Sequence, residues 1–250
     1  STLMSNINDT YFDGHYKEIW RTFIPDELTV KEADFILSYF KLEPGTKVLD
    51  LMCGYGRHAF ALAEKGIEVI AVDNLAAYVD EMRIKATETG LPVKPVLSGA
   101  LDFTSVEQFD LVLCMGNSLN FFNEADTSRL LANISGMLKK GGSLLINSWS
   151  LAEITFKNFK ENGWSTINGM KFLTSSKIVF HPTRMESEST IIAPDGSSEI
   201  KQAIDYIFSI NEMESMMKKA GLNLKEIYSI PGRKKFSIGE PRAYIVAEKR

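Results

Sequence analysis

The stretch that decides the fold runs from Val48 to Val72 and reads VLDLMCGYGRHAFALAEKGIEVIAV. It opens with an apolar run of strand length, continues through a turn with two glycines, and then predicts a helix that ends near Gly66. Ile67 to Val72 is a second run of strand length. A strand, a glycine turn, a helix and a second strand in this order indicate a parallel sheet that binds a ligand where its strands end.

The same alternation extends on the C-terminal side of this stretch. Helices and strands follow one another through short connections as far as Trp149, and a helix and two strands close the chain after residue 210. Alternation of this kind places helices on both faces of a sheet. We therefore predict an α/β fold with a Rossmann-like sheet of seven strands, mostly parallel, in which the C-terminal strand is antiparallel.

Other segments flank this predicted sheet. Helices are expected over about 11–22, which is rich in aromatic residues, and over about 29–42, which starts with the capping-box pattern Thr29-x-x-Glu32. Residues 166–208 contain strand-like segments without helices between them, and this pattern predicts an antiparallel β insertion.

The composition excludes several classes of protein. The net charge is −4, whereas a protein that binds along nucleic acid needs a basic surface; we interpret the basic cluster Arg233-Lys234-Lys235 as a solvated loop. Cys53 and Cys114 have no metal-binding or CxxC spacing, and the three histidines form no such group, so we predict neither disulfides nor a metal site. No apolar run reaches the roughly 20 residues of a membrane span. Residues 1–10 lack the layout of a signal peptide, so we expect a cytoplasmic protein that binds no membrane.

The glycine turn carries the chemistry. Gly54 and Gly56 allow a tight turn and a close approach of the backbone to a ligand, and Asp73 ends the next strand, where a carboxylate commonly binds ribose hydroxyls. Gly54-x-Gly56-x-x-Ala59 alone would also fit a dinucleotide enzyme or a turn that serves packing only. Asp50, however, suits an ammonium group, and Arg57 suits a carboxylate. S-Adenosylmethionine, with an amino acid at one end and a nucleoside at the other, matches both charges.

The sequence also resembles a known family. Val48 to Val72 is similar to motif I and the following strand of class I S-adenosylmethionine-dependent methyltransferases, in particular the bacterial small-molecule enzymes whose turn reads CGxGRH. Tyr11 to Val30 resembles the aromatic N-terminal segment of that family, and 109–121 resembles its motif IV. Leu138 to Gly142 resembles its LkpGG turn, although Lys140 stands where proline is common.

The resemblance implies roles for individual residues. Asp73 would bind the ribose, Asp102 would accept a hydrogen bond from the adenine amino group, and the Phe103 amide would donate to the adenine ring. A loop-capping role for Asp102 remains an alternative. The implied cofactor-binding residues are Asp50, Cys53, Gly54, Gly56, Arg57, Asp73, Asn74, Leu75, Asp102, Phe103, Met115, Asn117 and Ser118.

The aromatic residues Tyr11, Tyr16 and Trp20 would form a lid over the substrate or cofactor, because aromatic faces suit a sulfonium or a protonated amine. The alternative is an amphipathic helix that packs on the sheet. The length of 250 residues supports one domain of generous size, so we predict a single methyltransferase domain over 1–250. Its parts would be N-terminal helices covering the cofactor (1–45), a cofactor-binding core (46–150), an antiparallel insertion or lid (151–210), and a last helix with closing strands (211–250).

The leading hypothesis is methyl transfer from S-adenosylmethionine to a nitrogen or oxygen atom of a small molecule, with S-adenosylhomocysteine as product, by a monomer or homodimer. No catalytic residue is assigned; His15 and His58 are possible bases, and His58 is more simply a structural residue. The alternatives are a protein or nucleic-acid methyltransferase, a non-catalytic binder of the cofactor, and an NAD-dependent oxidoreductase. Many base methylators carry Asn/Asp-Pro-Pro-Tyr/Phe after the fourth strand, where this chain reads Gly116-Asn117-Ser118-Leu119.

Overall fold

The structure of the protein, a computed structural model, describes residues 6–250. The polar segment 1–10 and the predicted 1–45 region therefore lie partly outside the described residues. The helices are α1 (Tyr16–Phe23), α2 (Asp26–Tyr39), α3 (Arg57–Ala63), α4 (Ala76–Thr89), α5 (Glu124–Met137), α6 (Ala152–Asn158) and α7 (Ile210–Lys219), with 3-10 turns at Ile7–Thr10 and Ser118–Phe121. The strands are β1 (Lys47–Leu51), β2 (Glu68–Asp73), β3 (Val93–Leu97), β4 (Phe109–Cys114), β5 (Leu138–Ser148), β6 (Asn162–Ile167), β7 (Met170–Val179), β8 (Arg184–Ile192), β9 (Ser198–Tyr206), β10 (Leu222–Ile230), β11 (Lys234–Lys235) and β12 (Ala243–Lys249).

The main sheet has eight strands in the order β11-β10-β12-β5-β4-β1-β2-β3. The five strands from β5 to β3 in this order are parallel, and β12 lies antiparallel to both of its neighbours, β5 and β10. The predicted Rossmann-like sheet with an antiparallel C-terminal strand is confirmed. The predicted count of seven was too low, because the two-residue β11 pairs with β10.

The basic cluster is the source of this eighth strand. Lys234 and Lys235 form β11 and make ion pairs with Glu240 and Glu226, respectively. The interpretation of the cluster as a solvated loop is therefore wrong for these two residues, although both side chains remain exposed. Two adjacent lysines on a two-residue edge strand give no apolar periodicity from which a strand could be predicted.

Helices cover both faces of the main sheet. On one face, Leu49 of β1 belongs to a buried cluster with Leu130 and Ile134 of α5. On the other face, Val48 belongs to a second cluster with Ile36 of α2 and other helix residues. Because a central parallel strand is buried on both sides, its sequence reads as a continuous apolar run, which is why β1 could be recognised.

The insertion after β5 is a separate antiparallel sheet in the order β6-β7-β8-β9. Its strands span residues 162–206, so the predicted antiparallel insertion is confirmed and begins slightly earlier than expected. Tyr16 and Ile19 of α1 are buried in one cluster with Phe172 and Ile191 of this sheet. The aromatic N-terminal helix therefore packs on the inserted sheet rather than on the main one.

The start of α2 differs from the prediction. The helix begins at Asp26 after Pro25, so Thr29 and Glu32 lie inside it and form no capping box. Proline is well tolerated just before a helix because it supplies no amide hydrogen that would need a partner. Glu32 is instead buried, with 2% of its surface exposed, and its carboxylate serves the site described below.

None of the helices in residues 6–250 is both long enough and apolar enough to cross a membrane.

Candidate functional site

A cavity of about 770 Å³ opens at the ends of the parallel strands. Its walls come from the loops that follow β1, β2, β3 and β4 and from the N-terminal 3-10 turn. The predicted residues that line it are Asp50, Cys53, Gly54, Arg57, Asp73, Asn74, Asp102, Met115 and Ser118, together with Trp20 of the predicted lid. The other predicted cofactor residues, Gly56, Leu75, Phe103 and Asn117, do not line this cavity.

The two glycines of the turn have different roles. Gly54 has a φ of +61°, and a Cβ placed there would meet nothing within 4 Å, so its face opens into the cavity. Gly56 has a φ of +84°, but a Cβ there would come to 2.7 Å from Sδ of Met82. Gly56 is therefore required by the packing of the turn against α4, which corrects its predicted role in approaching the ligand.

Asp50 lies at the floor of the cavity with 1% of its surface exposed. Neither carboxylate oxygen has a hydrogen-bond partner within residues 6–250. Burial raises the pKa of Asp50 to about 7, with the Arg57 charge opposing the shift and the Asp73 charge adding to it. Because buried polar groups are nearly always satisfied, these two oxygens require donors from outside the chain, such as a ligand's ammonium group.

Arg57 is anchored to the protein through one of its guanidinium nitrogens. Its Nη1 donates to Oε1 of Glu32 at 2.7 Å and to Oγ1 of Thr29 at 3.1 Å. Glu32 also bonds Nε2 of His58 at 3.1 Å, and its Oε2 accepts a hydrogen bond from the Tyr244 hydroxyl at 2.8 Å. Only Nη1 of Arg57 takes part in these bonds and the side chain borders the cavity, so the pairing of Arg57 with a ligand carboxylate stays a prediction.

Glu32 therefore joins three parts of the fold, namely α2, the start of α3 and strand β12. Burial alone would raise its pKa, but the hydrogen bond and charge of His58 and those of Arg57 outweigh burial and lower it to about 2. Burial and the Arg57 charge lower the pKa of His58, so this ring is a poor proton carrier at the site. The network fixes the helix that follows the glycine turn.

Asp73 connects the loops after β1 and β2. Its Oδ2 accepts a hydrogen bond from the Gly54 amide at 2.8 Å, and its Oδ1 accepts one from the Leu75 amide at 2.9 Å. Burial raises the pKa of Asp73 to about 6, and these backbone hydrogen bonds limit the rise. Each carboxylate oxygen can accept a further hydrogen bond, so the position remains suited to ribose hydroxyls. Leu75 contributes its amide to Asp73 and does not reach the cavity.

Asp102 and Phe103 lie in the loop after β3. Asp102 is exposed and lines the cavity, as a residue near adenine must. The Phe103 amide donates to the Gly99 carbonyl at 3.1 Å, and the phenyl ring is buried in the main core. The predicted hydrogen bond from the Phe103 amide to a bound ring is therefore wrong, because that donor is already used.

A second cavity of about 970 Å³ lies between the N-terminal aromatic residues and the inserted sheet. Tyr11 and Tyr16 line this cavity, with ring centres 4.3 Å apart, and they do not line the first one. Four residues border both cavities: Phe12, Trp20, Gly116 and Phe121. The two cavities therefore meet at an aromatic boundary, and the predicted lid residues lie mainly on the far side of it.

Asn117 lies at this junction on the side of the second cavity. It has a φ of +65°, and its Nδ2 donates to Oγ of Ser150 at 2.8 Å and to Oδ1 of Asp205 at 3.3 Å. Its Oδ1 accepts a hydrogen bond from the Trp149 amide at 2.8 Å. Asn117 thus ties the loop after β4 to the end of β5 and to β9, which differs from its predicted place beside the cofactor.

A family model described as a methyltransferase domain matches residues 48–142, the part of the chain that forms the first cavity's floor and most of its walls. Residues 48–142 of the chain therefore form a methyltransferase domain. The predicted family and its cofactor, S-adenosylmethionine, are confirmed for this domain.

Relatives of this methyltransferase domain are moderately similar. A glycine/sarcosine N-methyltransferase from Halorhodospira halochloris is 30% identical over 147 residues, which cover 56% of this chain and 53% of that relative. The match thus spans about half the length of the curated relative.

Two solved structures share the fold over nearly the whole chain. The CcbJ methyltransferase from Streptomyces caelestis has a TM-score of 0.81 at 18% identity, covering 98% of both chains. A sugar N-methyltransferase from Streptoalloteichus sp has a TM-score of 0.73 at 18% identity, covering 100% of this chain and 97% of the other. At this identity the likeness establishes the fold alone.

The first cavity fits S-adenosylmethionine on physical grounds. Asp50 offers two unsatisfied oxygens where an ammonium group would bind, and Gly54 leaves open space beside it. Asp73 and Asp102 supply further acceptors along the same wall. Among residues 6–250, no group of three or more His, Cys, Asp or Glu side chains could hold a metal ion.

Several residues that line the two cavities were not predicted from the sequence. Asn8 and Asp9 line the first cavity, and Asp205 and Trp149 line the second. Asp205 precedes Tyr206 in a strand that alternates apolar and polar residues, so it looked like an ordinary solvent-facing residue. Asp205 lies beside aromatic residues of the N-terminal segment only in the folded protein, and its position in the sequence gives no sign of this.

Proposed function

We propose that the protein is an S-adenosylmethionine-dependent methyltransferase that methylates a nitrogen atom of a small molecule. The observation that carries this proposal is the pair of cavities that meet at Phe12, Trp20, Gly116 and Phe121. One cavity has the charges that the cofactor needs, and the other is large and aromatic. The names of the N-methyltransferase relatives support nitrogen over oxygen as the accepting atom.

In this proposal the first cavity binds the cofactor through residues that the chain already positions. Asp50 holds the ammonium group, Gly54 lies beside the methionine portion, Asp73 binds the ribose hydroxyls and Asp102 accepts from the adenine amino group. Cys53, Asn74, Met115 and Ser118 complete the walls. The cofactor supplies a methyl group on a sulfonium sulfur.

The chain's own contribution to the reaction is then positioning and exclusion of water. Holding two reacting groups in line can contribute up to about 7–11 kcal/mol. Trp20 and Phe12, whose ring centres are 5.4 Å apart, border both cavities and suit a positively charged reacting centre. The polar contacts of Asn117 hold the loop that forms the opposite side of this boundary.

We further infer that the N-terminal segment and the inserted sheet act together as the lid. Asn8 donates to the Ile204 carbonyl at 2.8 Å and accepts from the Ile204 amide at 3.0 Å, so the wall of the first cavity is bonded to β9. Asn6 donates to the Phe121 carbonyl at 2.8 Å. Removal of the insertion is therefore expected to weaken cofactor binding as well as acceptor binding, since it removes the partner of Asn8.

The cavity volume favours a small molecule of more than amino-acid size. Pockets of about 300–1,000 Å³ accommodate drug-sized ligands, and the second cavity, at about 970 Å³, lies at the top of this range. The net charge of −4 disfavours a nucleic-acid substrate.

Calorimetric titration with S-adenosylmethionine, S-adenosylhomocysteine and NAD tests the cofactor assignment. We expect binding of the first two and none of NAD. Transfer of an isotope-labelled methyl group to a panel of small amines and alcohols tests the reaction. Binding of NAD without binding of S-adenosylhomocysteine would overturn the proposal, and cofactor binding without methyl transfer to any member would favour the alternative of a non-catalytic binder.

A further inference from the structure

Asp205 is an unpaired carboxylate in the second cavity. It is half-buried near the end of β9, and its Oδ1 accepts a weak hydrogen bond from Nδ2 of Asn117 at 3.3 Å. Within residues 6–250, no Lys, Arg or His side chain forms an ion pair with it, and Oδ2 has no hydrogen-bond partner. A carboxylate away from bulk water without a cation is costly, so this position favours a positively charged ligand.

The surroundings of Asp205 strengthen this preference. Tyr11, Tyr16, Trp20 and Trp149 line the same cavity. Aromatic faces attract ammonium groups, and more strongly so when water is excluded. Burial raises the pKa of Tyr11 and raises that of Tyr16 well above its usual value, so both phenols stay neutral near pH 7. Of Tyr11, Tyr16 and Asp205, it is therefore Asp205 that carries a negative charge.

We propose that Asp205 binds the protonated amine of the methyl acceptor and takes up its proton, so that the natural acceptor is a cationic amine. This inference rests on the methyl-transfer function proposed above. Asn117 positions the carboxylate through Oδ1, leaving Oδ2 for the acceptor. Because Asn117 adjoins Gly116, which borders both cavities, the amine is held next to the boundary where the two cavities meet.

The proton balance of the step is simple. An N–H bond of the ammonium breaks, an O–H bond forms at Oδ2 of Asp205, and the electron pair of the broken bond stays on nitrogen as the lone pair that methyl transfer requires. The carboxyl group then loses its proton to solvent and returns to the carboxylate. Burial raises the pKa of Asp205 to about 7, which makes the carboxylate a better proton acceptor than an ordinary aspartate.

The other ionisable side chains around this cavity are Tyr11, Tyr16, Lys157, Lys160 and Glu161. The tyrosines do not ionise between pH 6 and 8, because their pKa values are raised. The two lysines and Glu161 belong to α6 and to the segment that leads into β6, and none of them makes an ion pair or a hydrogen bond with Asp205 within residues 6–250. Asp205 is therefore the group whose ionisation should control the binding of an amine in this range.

The test uses simple probes, so it does not require knowledge of the natural acceptor. The full-length protein, saturated with S-adenosylhomocysteine, is titrated with 2-phenylethylammonium and with its neutral counterpart 2-phenylethanol, followed by calorimetry and tryptophan fluorescence. The variants are Asp205→Asn and, as a control, Glu188→Gln. Glu188 is an exposed acid on the neighbouring strand β8 and lies outside both cavities.

At pH 8 we expect the wild type and Glu188→Gln to bind the ammonium probe at least tenfold more tightly than the alcohol. In Asp205→Asn this preference should disappear, while the affinity for S-adenosylhomocysteine stays within twofold. The affinity of the wild type for the ammonium should fall as the pH drops through 7, because Asp205 becomes protonated, and the Asp205→Asn variant should show no such fall.

Equal binding of both probes, absence of ammonium binding to the cofactor-saturated protein, or a preference that survives in Asp205→Asn would each overturn the inference and leave the proposed function intact. Failure of the wild type to bind S-adenosylhomocysteine would instead overturn the proposed function.

Discussion

Gly54 and Gly56 of the glycine turn provide a matched pair of perturbations, because each has a positive φ but only Gly54 faces the first cavity. An alanine at Gly54 (φ +61°) meets no protein atom within 4 Å, so it should cost about 1–2 kcal/mol of folding stability from the left-handed backbone alone. An alanine at Gly56 (φ +84°) also forces a Cβ to 2.7 Å from Met82 Sδ and 3.2 Å from Phe60. Overpacking typically adds about 1–3 kcal/mol, so Gly56→Ala should cost about 2–5 kcal/mol.

For cofactor affinity we expect the reverse order, with a larger loss in Gly54→Ala than in Gly56→Ala. The space in front of Gly54 is where we place the cofactor, so Gly54→Ala should weaken the affinity for S-adenosylhomocysteine about tenfold or more, equivalent to at least about 1.4 kcal/mol. The folded fraction of Gly56→Ala should bind nearly as well as wild type, because its methyl group points toward α4.

Urea unfolding and calorimetric titration on both variants check this reversal. Equal losses of stability in the two variants, or an unchanged dissociation constant for Gly54→Ala, would refute the division of roles between the two glycines.

Three further perturbations test other parts of the site. Asp73→Ala should weaken binding of S-adenosylhomocysteine by roughly 1–3 kcal/mol in a folded protein, since ribose hydroxyls lose a charged acceptor; calorimetry that shows no change would exclude the ribose assignment. Glu32→Gln should lower the unfolding free energy at pH 7 by about 1–3 kcal/mol. Because its partners lower the pKa of Glu32 from 4.5 to about 2, the stability difference between wild type and Glu32→Gln should be present above pH 4.5 and vanish as the pH falls toward 2. A difference in unfolding free energy, measured with urea, that stays the same at all pH values would argue against this role of Glu32. Trp20→Ala should reduce methyl transfer far more than Trp164→Ala, because Trp20 borders both cavities whereas Trp164 is 79% exposed; equal activities of the two variants would count against the aromatic boundary.

Much of the fold could be predicted because it depends on local patterns. The apolar run of β1, the glycines of the turn and the alternation of strands and helices up to β5 are short-range signals that tertiary packing reinforces. The antiparallel insertion could be predicted from its alternating strands. The start of α2 could not, since Pro25 and Asp26 provide a helix start as acceptable as Thr29.

The errors at the site concern partners that are distant in sequence. Nothing in the sequence spacing indicated that Glu32, 25 residues before Arg57, would become buried beside it and accept a hydrogen bond from it. The Phe103 amide was expected to be free, but the turn after β3 uses it at the Gly99 carbonyl. Asp205 was overlooked because nothing in its strand indicates that the polar side chain faces an aromatic cavity. Such pairings depend on three-dimensional packing, and the spacing of residues in a single sequence does not predict them.

The central claim is that the first cavity binds S-adenosylmethionine through Asp50 at one end and Asp102 at the other. The most direct test is a crystal structure of the protein with S-adenosylhomocysteine. We expect the amino nitrogen of the ligand within about 2.7–3.2 Å of an Asp50 oxygen, and the adenine beside Asp102, with the sulfur near the boundary formed by Trp20 and Phe121. A ligand found in the reverse orientation, or in the second cavity with Asp50 still without a partner, would contradict the account.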